Sequence, residues 1–304
     1  MILTVIGGAT ATGKSKLAVE VAKILHGEVI SADSMQIYRK MDIGTAKITK
    51  KEMDGVVHHM IDIVDPNCSY SVAQYTDAVK SIIKEKEKTN TPLIICGGTG
   101  LYINSLIYEY KMSAFNDELR KELMQELYDN GIDYMYEKLL KLDPLAVNIH
   151  KNNVKRVIRA LEVIISEGKS ILDKDDKKTT APHLMYAIDK DRAQLYNDID
   201  LRVDLMFNQG LINEVKYLLD ECHLDFNMQS MQAIGYKEFK DYFYGQINEE
   251  SLKDLIKQHS RNYAKRQNTW FKRIDSCNWV NNDNIEALSD RICNEYYEYM
   301  SKIE

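Results

Sequence analysis

The sequence predicts an α/β fold in which a parallel sheet carries a phosphate-binding loop, with a helical insertion domain and a helical C-terminal region. The first observation is an apolar strand at residues 2–6 that runs directly into the pattern G-x-x-x-x-G-K-S at residues 8–15. A helix with apolar residues at helical spacing follows at residues 16–25. The second observation is that strands and helices alternate up to residue 112, which is typical of a parallel sheet covered on both faces.

Three further strands are predicted in this alternating part, at residues 28–31, 60–64 and 92–96, with a helix at about residues 72–88. Ligands of such sheets bind at the carboxyl ends of the strands. Asp33 follows the second strand, and Thr99 follows the fourth within a second glycine-rich loop. We therefore expect both side chains to lie beside the phosphate loop, which would make the core similar to that of the P-loop NTPases.

The pattern changes near residue 113, where consecutive helices replace the alternation. Residues 116–170 are predicted to be helical, with breaks at Gly131, Pro144 and Gly168. The polar residues 173–178 lack periodicity, which is typical of a surface loop. A helical insertion domain is therefore predicted at residues 113–182.

The C-terminal part returns to the sheet once and is otherwise helical. A strand is predicted at residues 184–189, and helices are predicted at residues 196–219, 235–244, 249–273 and 285–300. We therefore predict a single α/β core made of residues 1–112 and 183–304, which the insertion interrupts.

The composition is that of a soluble globular protein, with 44% hydrophobic and 28% charged residues. No apolar run approaches the length of a membrane span, and the first strand leaves no room for a signal peptide, so we expect a cytoplasmic protein without a membrane partner. The five cysteines are scattered, which argues for a reducing compartment and against structural zinc. The net charge of −6 argues mildly against a nucleic-acid partner, although such a partner needs only a local basic face.

The phosphate loop predicts a binding site for a di- or triphosphate. Its glycines let the backbone fold tightly around an anion, so that successive N–H groups and the helix N-terminus point at the phosphates. Lys14 adds a full positive charge, and the Ser15 hydroxyl is available to a Mg²⁺ ion that bridges the phosphates. The predicted diphosphate-binding residues of the loop are Gly8, Ala9, Thr10, Ala11, Thr12, Gly13, Lys14 and Ser15.

The residues around the loop leave the identity of the phosphate ligand open. A kinase or NTPase should carry an acidic residue at the end of an apolar strand to hold Mg²⁺, and neither Asp62 nor Asp65 fits that position well. Asp33 is either a magnesium ligand or general base, or the cap of a following helix. His58 and His59 are adjacent on a predicted strand and point to opposite faces, which favours structural roles over a shared metal ion.

The C-terminal part contains a basic segment with interleaved aromatic residues. It contains Arg261, Tyr263, Lys265, Arg266, Trp270, Phe271, Lys272 and Arg273. Such a run is either a solvated helix face or a surface that contacts nucleic-acid phosphates and stacks on bases, and the pattern alone supports both interpretations.

The sequence resembles the tRNA dimethylallyltransferases, the isopentenyl-tRNA transferase (IPP transferase) family, over nearly its whole length. The shared stretches, in the family's order, are residues 8–15, 30–47, 58–66, 97–103, 152–163, 210–215, 232–239 and 263–273. The departures are small. Ala9 and Thr12 replace the usual Pro and Ser of the loop, Gln232 and Ala233 replace an Arg and a Cys, and Asp198 stands where an Arg is often found.

The resemblance implies transfer of a dimethylallyl group from dimethylallyl diphosphate, rather than any reaction of ATP, to N6 of the adenosine at tRNA position 37. It implies catalytic roles for four residues. Lys14 and a Mg²⁺ ion on Ser15 would stabilise the leaving diphosphate, Asp33 would accept the N6 proton, and Thr99 would lie on the other side of the reaction centre. Arg192, after the returning strand, is expected to be a further diphosphate clamp.

The resemblance also implies which residues contact the tRNA. Asp33, Ser34, Met35 and Gln36 would bind the flipped adenine in an enclosed channel. The other predicted tRNA contacts are Lys155, Arg156 and Arg159 on the anticodon stem-loop, and Gln232, Gly235, Tyr236, Arg261, Lys265 and Arg266 along the basic lining. Without the resemblance, Arg156 and Arg159 would be interpreted as an ordinary surface pair on one helix face. A monomer is expected to be sufficient.

Three other functions compete with this interpretation. A P-loop small-molecule kinase would use ATP and would not need the basic aromatic segment. A prenyltransferase acting on free adenine nucleotides would share the core but generally lacks a helical insertion, so residues 113–182 favour tRNA. A nucleotide-gated RNA-binding protein without catalytic activity would still bind RNA after mutation of Asp33.

Overall fold

The structure is a computed structural model that describes residues 2–108, 116–172, 179 and 181–302. The chain divides into two compact units. One contains Met1–Tyr108 and Thr179–Glu304, and the other contains Glu109–Lys178. The polar loop predicted at residues 173–178 lies outside the described residues. Among the described residues, no helix combines the length and the apolar character that crossing a membrane requires.

The first unit is built on a parallel sheet. Its strands are β1 Leu3–Gly8, β2 Glu28–Ser31, β3 His58–His59, β4 Leu93–Gly97, β5 His183–Asp189 and β6 Cys277–Asn281. The order across the sheet is β3-β2-β4-β1-β5-β6, and every neighbouring pair is parallel. The predicted fold class, an α/β protein with a phosphate-loop sheet and a largely helical remainder, is confirmed.

Helices surround the sheet of the first unit, and further helices form the second unit. In chain order they are α1 Lys14–Leu25, α2 Lys50–Met53, α3 Val72–Glu87, α4 Gly100–Ile107, α5 Asp117–Leu142, α6 Val154–Glu167, α7 Arg192–Asn208, α8 Leu211–Asp220, α9 Phe239–Phe243, α10 Glu249–Phe271 and α11 Ile285–Met300. Short 3₁₀ helices lie at Pro144–Asn148 and Ser230–Gln232.

The core has one apolar layer on each face of the sheet, because successive side chains of a strand point to opposite faces. Ile6 of β1 belongs to the layer that contains α1 and α11. Its neighbour Val5 belongs to the layer that contains α3, α4 and Phe271 at the end of α10. Burial of both faces explains why β1 and β4 are almost entirely apolar. The same packing fixes the positions of the strand ends that carry the site.

The strand predicted at residues 60–64 is wrong. The strand lies earlier, at His58–His59, because Met60 and Asp62 have φ values of +62° and +55°. A left-handed backbone interrupts an extended strand. Val64 makes only an isolated parallel bridge with Tyr38.

Two further predictions in the C-terminal part need correction. The helix predicted at residues 196–219 is divided into α7 and α8, because Gly210 adopts a φ of +98°. Of the helix predicted at residues 235–244, only α9 forms. The edge strand β6 was not predicted, since only Val280 of its five residues is buried and so short a pattern carries little signal.

The second unit is a small helical structure with its own core. Gly131, with a φ of +79°, interrupts α5, and Gly168, with a φ of +68°, ends α6. Leu139 of α5 and Leu161 of α6 are both fully buried in the apolar cluster that joins the two helices. The predicted breaks at Gly131, Pro144 and Gly168 coincide with the interruption of α5, the start of the first 3₁₀ helix and the end of α6.

Candidate active site

A cavity of about 890 Å³ opens where β1, β2 and β4 end. Its remaining walls are the loop at residues 42–49, the middle of α7, the turn at residues 232–237 and the middle of α10. The predicted site residues that line it are Thr10, Ala11, Gly13, Lys14, Ser15, Asp33, Ser34, Met35, Gln36, Gln232, Gly235 and Arg266. The fold therefore brings together residues from segments that are distant in the sequence.

The phosphate loop is held in a tight conformation by its own backbone. The Thr12 hydroxyl donates to the Ala9 carbonyl at 2.8 Å, and the Lys14 ammonium donates to the same carbonyl at 3.3 Å. Gly8, Ala9 and Thr12 are buried, so they shape the loop, while Lys14 and Ser15 face the cavity. Burial lowers the pKa of Lys14, an effect that the charge of Asp33 opposes.

Two amide side chains from the C-terminal region support the phosphate loop, and the sequence patterns did not single them out. The Gln267 side chain accepts from the Thr10 N–H at 2.9 Å and donates to the Gly98 carbonyl at 3.1 Å. It thereby joins the two glycine-rich loops. The Asn282 amide, which follows β6, donates to the Thr12 carbonyl at 2.5 Å.

Asp33 lines the cavity and also shapes the turn that follows it. Its Oδ1 accepts from the Met35 N–H at 2.9 Å and the Gln36 N–H at 3.4 Å. No helix directly follows Asp33, so its interpretation as a helix cap is wrong: one carboxylate oxygen holds a turn instead, and the side chain still faces the cavity. Thr99 is not among the lining residues, and its Oγ1 accepts from the Ser34 N–H at 3.1 Å. Thr99 thus lies behind Ser34.

Arg202 of α7 faces the cavity, although the sequence analysis pointed to Arg192 as the clamp. Its guanidinium donates to the Thr10 hydroxyl at 3.3 Å and to the Ala46 carbonyl at 3.4 Å. Burial lowers the pKa of Arg202, and the charges of Asp33 and Glu52 act in the opposite direction. The helical spacing of Ile199 and Met206, which also line the cavity, places Arg202 on the same face of α7 but does not indicate what that face contacts.

The structure does not bring Arg192 into the cavity. It lies at the exposed first turn of α7, with its guanidinium 5.2 Å from the centre of the Tyr196 ring. Ten residues of helix separate it from Arg202, which is about 15 Å along the helix axis.

Another wall of the cavity is formed by the turn after β2 and the loop at residues 42–49. The Gln36 side-chain amide donates to the carbonyls of Thr45 and Ala46 at 3.4 and 3.3 Å. Ser34 and Met35 line the cavity beside it. The side chains predicted to bind the base therefore have defined positions, because the backbone of the neighbouring loop holds Gln36.

The C-terminal residues predicted to contact tRNA divide into two groups. Gln232, Gly235 and Arg266 line the cavity, whereas Tyr236, Arg261 and Lys265 do not. Tyr236 is fully buried, and Arg261 forms an ion pair with Asp200. Tyr263 lines the cavity and was not predicted as a site residue. Burial raises its pKa to about 12, and the neighbouring Thr99 side chain acts in the opposite direction.

The remaining predicted tRNA contacts lie on α6 of the second unit. Lys155 and Arg156 are exposed in its first turn. Arg159 is half-buried and forms an ion pair with the buried Glu162 at 3.1 Å, and Arg120 binds the other oxygen of that carboxylate at 2.9 Å.

The residues around the phosphate loop fit a Mg²⁺ ion that is held together with a diphosphate. Mg²⁺ usually takes one or two protein oxygens and completes its coordination with phosphate oxygens and water. Ser15 and Asp33 both line the cavity and supply such oxygens. Asp62 and Asp65 do not line it and form ion pairs with Lys47 and Arg39. No cluster of three or more His, Cys, Asp or Glu side chains that could hold a metal occurs in the described part of the chain.

The fold and the site define a class: an α/β protein whose phosphate loop opens into a large cavity lined by basic, acidic and apolar side chains. A sequence profile of the family described as IPP transferase matches residues 36–274. The chain belongs to the IPP transferase family.

Named relatives and solved structures agree with this assignment. A tRNA dimethylallyltransferase of Clostridioides difficile (strain 630) is 46% identical over 304 residues, which covers 98% of this chain and 97% of the relative. One from Bacillus anthracis is 44% identical, covering 95% of this chain and 93% of the relative. The crystal structure of a tRNA isopentenylpyrophosphate transferase from Bacillus halodurans has 41% identity and a TM-score of 0.75, covering 99% of this chain and 98% of the other. A structure of a eukaryotic dimethylallyltransferase acting on tRNA has 27% identity and a TM-score of 0.77, covering 89% and 70%.

Proposed function

We propose that the protein transfers the dimethylallyl group of dimethylallyl diphosphate to N6 of the adenosine at tRNA position 37, releasing diphosphate and forming N6-(dimethylallyl)adenosine. The observation that carries the proposal is the convergence of Lys14, Arg202 and Asp33 on one cavity. Two cations and the loop N–H groups suit a diphosphate, and a carboxylate suits the proton of an attacking amine.

The reaction is a substitution at the first carbon of the allyl group. The N6 lone pair forms a bond to that carbon while the bond to the diphosphate oxygen breaks, and the electron pair leaves with the diphosphate. Lys14, Arg202 and the loop N–H groups stabilise the developing negative charge. Asp33 takes the N6 proton on its carboxylate, whose orientation is fixed by the Met35 N–H.

A Mg²⁺ ion held by Ser15 would supply further positive charge to the leaving diphosphate. The cavity also has to keep water away from the cation-like allylic carbon. Val203 and Met206 line it and provide an apolar surface for the dimethylallyl group. Dimethylallyl diphosphate, rather than ATP, is therefore the proposed donor.

The proposed acceptor is the anticodon stem-loop of tRNA, with Lys155, Arg156 and Arg159 contacting its phosphates. Ser34, Met35 and Gln36 bind the flipped adenine, whose removal from the base stack takes a few kcal/mol. The proposal includes a monomeric enzyme in the cytoplasm. The five free cysteines are consistent with a reducing compartment.

A transfer assay tests the proposal. The protein is incubated with Mg²⁺, radiolabelled dimethylallyl diphosphate and, in parallel, unmodified tRNA, AMP or ATP. Label in tRNA alone is the expected result. Label in AMP would replace the proposal with a free-nucleotide prenyltransferase, and consumption of ATP without label transfer would replace it with a kinase. Exchanging both Arg156 and Arg159 for Glu should weaken tRNA binding, and unchanged affinity would refute their role.

A further inference from the structure

Glu214 of α8 binds two separate segments of the cavity wall without lining the cavity itself. Its Oε2 accepts from the Asp42 N–H at 2.9 Å and the Ile43 N–H at 2.7 Å. Its Oε1 accepts from the Gly44 N–H at 3.1 Å and the Tyr236 hydroxyl at 2.6 Å. One carboxylate thus satisfies three consecutive backbone donors and one buried side-chain donor, and the reaction described above does not use it.

The arrangement depends on a negative charge at this position. Three successive N–H groups that point to one centre form an anion-binding concavity. A neutral side chain of similar shape cannot replace both carboxylate oxygens as acceptors, because one end of an amide is a donor. The fully buried Tyr236 then has its hydroxyl directed at the same carboxylate.

The contact between the two segments is close. A Cβ on Gly44 would overlap the Tyr236 ring, and a Cβ on Gly235 would lie 3.3 Å from the Gly44 carbonyl oxygen. The loop at residues 42–47 and the turn at residues 232–236 therefore pack with almost no space between them. Release of either segment from Glu214 would change the shape of the cavity where both line it.

The loop held by Glu214 also positions the side chain expected to bind the base. The Ala46 carbonyl accepts from the Gln36 amide at 3.3 Å. Lys47, almost fully buried, forms ion pairs with Asp42 and Asp62, both at 2.6 Å. The phosphate loop, in contrast, is supported by Gln267 and Asn282. Glu214 therefore holds the half of the cavity wall formed by residues 42–47, which meets the phosphate half where the Ala46 carbonyl accepts from Arg202 at 3.4 Å.

We propose that Glu214 is a positioning residue for the acceptor: by holding residues 42–44 against Tyr236, it sets the wall that receives the adenine of the tRNA. This inference rests on the proposed function, since it assigns that half of the cavity to the acceptor. Glu214 does not line the cavity, so we expect it to contact neither substrate.

Steady-state kinetics of Glu214→Gln test the proposal, with both substrates varied in turn. We expect the KM for tRNA to rise about tenfold and the KM for dimethylallyl diphosphate to stay within about twofold. A merely structural role would lower the active fraction, and hence kcat, and leave both KM values unchanged. Glu221→Gln, at the exposed end of the same helix, makes the same charge change and should leave both KM values unchanged.

Tyr236→Phe keeps the test decisive if Glu214→Gln does not fold, as judged by thermal unfolding. It removes one of the four hydrogen bonds and leaves the charge, so the KM for tRNA should rise by a smaller factor. Unchanged KM for tRNA in the folded variants, or an equal rise in both KM values, would overturn the proposal. Absence of label transfer to tRNA by the unmodified protein would instead refute the proposed function itself.

Discussion

Asp33 and Arg202 are two charged side chains that line the same cavity. Burial lowers the pKa of Arg202, and the charge of Asp33 acts in the opposite direction, so the carboxylate favours the charged form of the guanidinium. Asp33 is oriented by backbone N–H groups, and Arg202 is oriented by Thr10 and Ala46. Because different groups orient Asp33 and Arg202, the proton-acceptor role of Asp33 and the diphosphate-binding role of Arg202 can be tested independently.

Replacement of Asp33 by Asn tests its role as proton acceptor. The amide keeps an oxygen that can accept from the N–H groups of Met35 and Gln36, so the turn should persist, but it cannot take up a proton at neutral pH. We expect kcat to fall by about 10²- to 10⁴-fold, with tRNA affinity within about twofold. Single-turnover label transfer and filter binding measure these quantities. Asp54→Asn, at an exposed ion pair with Lys23, is the control. Full activity of Asp33→Asn would exclude the proton-acceptor role.

Arg202 and Arg192 form a matched pair on one helix. Loss of a charge-assisted hydrogen-bond donor in the cavity should lower kcat/KM for dimethylallyl diphosphate about 10- to 100-fold in Arg202→Gln. Arg192→Gln removes the same charge from the same helix outside the cavity and should change kcat/KM less than about twofold. The opposite ranking of the two variants would restore Arg192 as the clamp.

At the scale of elements, the ends of β2 and β4 determine where the site forms. Gly97, the last residue of β4, packs directly against the backbone of Ala32, and a Cβ on Gly97 would overlap the Ala32 carbonyl. The Ala32 N–H donates to the Cys96 carbonyl at 2.7 Å, and the Thr99 N–H donates to the Ala32 carbonyl at 3.0 Å. Asp33 and Thr99 are therefore neighbours because the two strand ends are in close contact.

Gly97→Ala should separate these two strand ends. Because the overlap is with backbone rather than with a flexible side chain, we expect the free energy of unfolding to fall by about 1–3 kcal/mol and kcat to fall with it. Gly55→Ala is a useful control, since its added Cβ would meet nothing within 4 Å and only its φ of +79° causes strain. Urea unfolding measures both variants. A free energy of unfolding and a kcat of Gly97→Ala that match those of the unmodified protein would show that the strand ends tolerate the added methyl group.

At the scale of the whole molecule, an ion cluster connects β2, β3 and α3. Glu28, the first residue of β2, binds His59 of β3 at 2.6 Å and Lys86 of α3 at 2.9 Å. Burial alone would raise the pKa of Glu28, but the hydrogen bonds from His59 and Lys86 hold it below its ordinary value of 4.5. The cluster joins two strands and a helix through one carboxylate.

The lowered pKa of Glu28 predicts how stability depends on pH. A carboxyl group whose pKa is lower in the folded state stabilises the fold above its unfolded pKa, and this contribution is lost as the pH falls through the folded value. Glu28→Gln should therefore lower Tm near pH 7, and the difference from the unmodified protein should narrow near pH 3. Differential scanning calorimetry at both pH values measures it. Glu85→Gln, an exposed residue 3.9 Å from Lys86, should show little difference at either pH. A Tm difference for Glu28→Gln that grows on acidification would contradict the prediction.

Local patterns in the sequence determined the phosphate loop, the helix after it and most of the sheet. The glycines and Lys14 lie within one short segment, and apolar runs such as β1 and β4 are visible without any knowledge of their neighbours. The same dependence on local patterns explains why the strand at residues 60–64 was predicted wrongly and β6 was not predicted. The left-handed residues Met60 and Asp62 and the mostly exposed strand β6 leave almost no local signal.

The resemblance to a family determined the proposed chemistry, and together with the phosphate-loop pattern it indicated catalytic roles for Lys14, Ser15 and Asp33. Only the tertiary structure decided which distant groups complete the site. Arg202 meets Thr10 across 192 residues, Gln267 meets Gly98 across 169, and Glu214 meets Ile43 across 171. These contacts depend on the order of the strands and the packing of α7, α8 and α10 over the strand ends, and no periodicity within one segment encodes them.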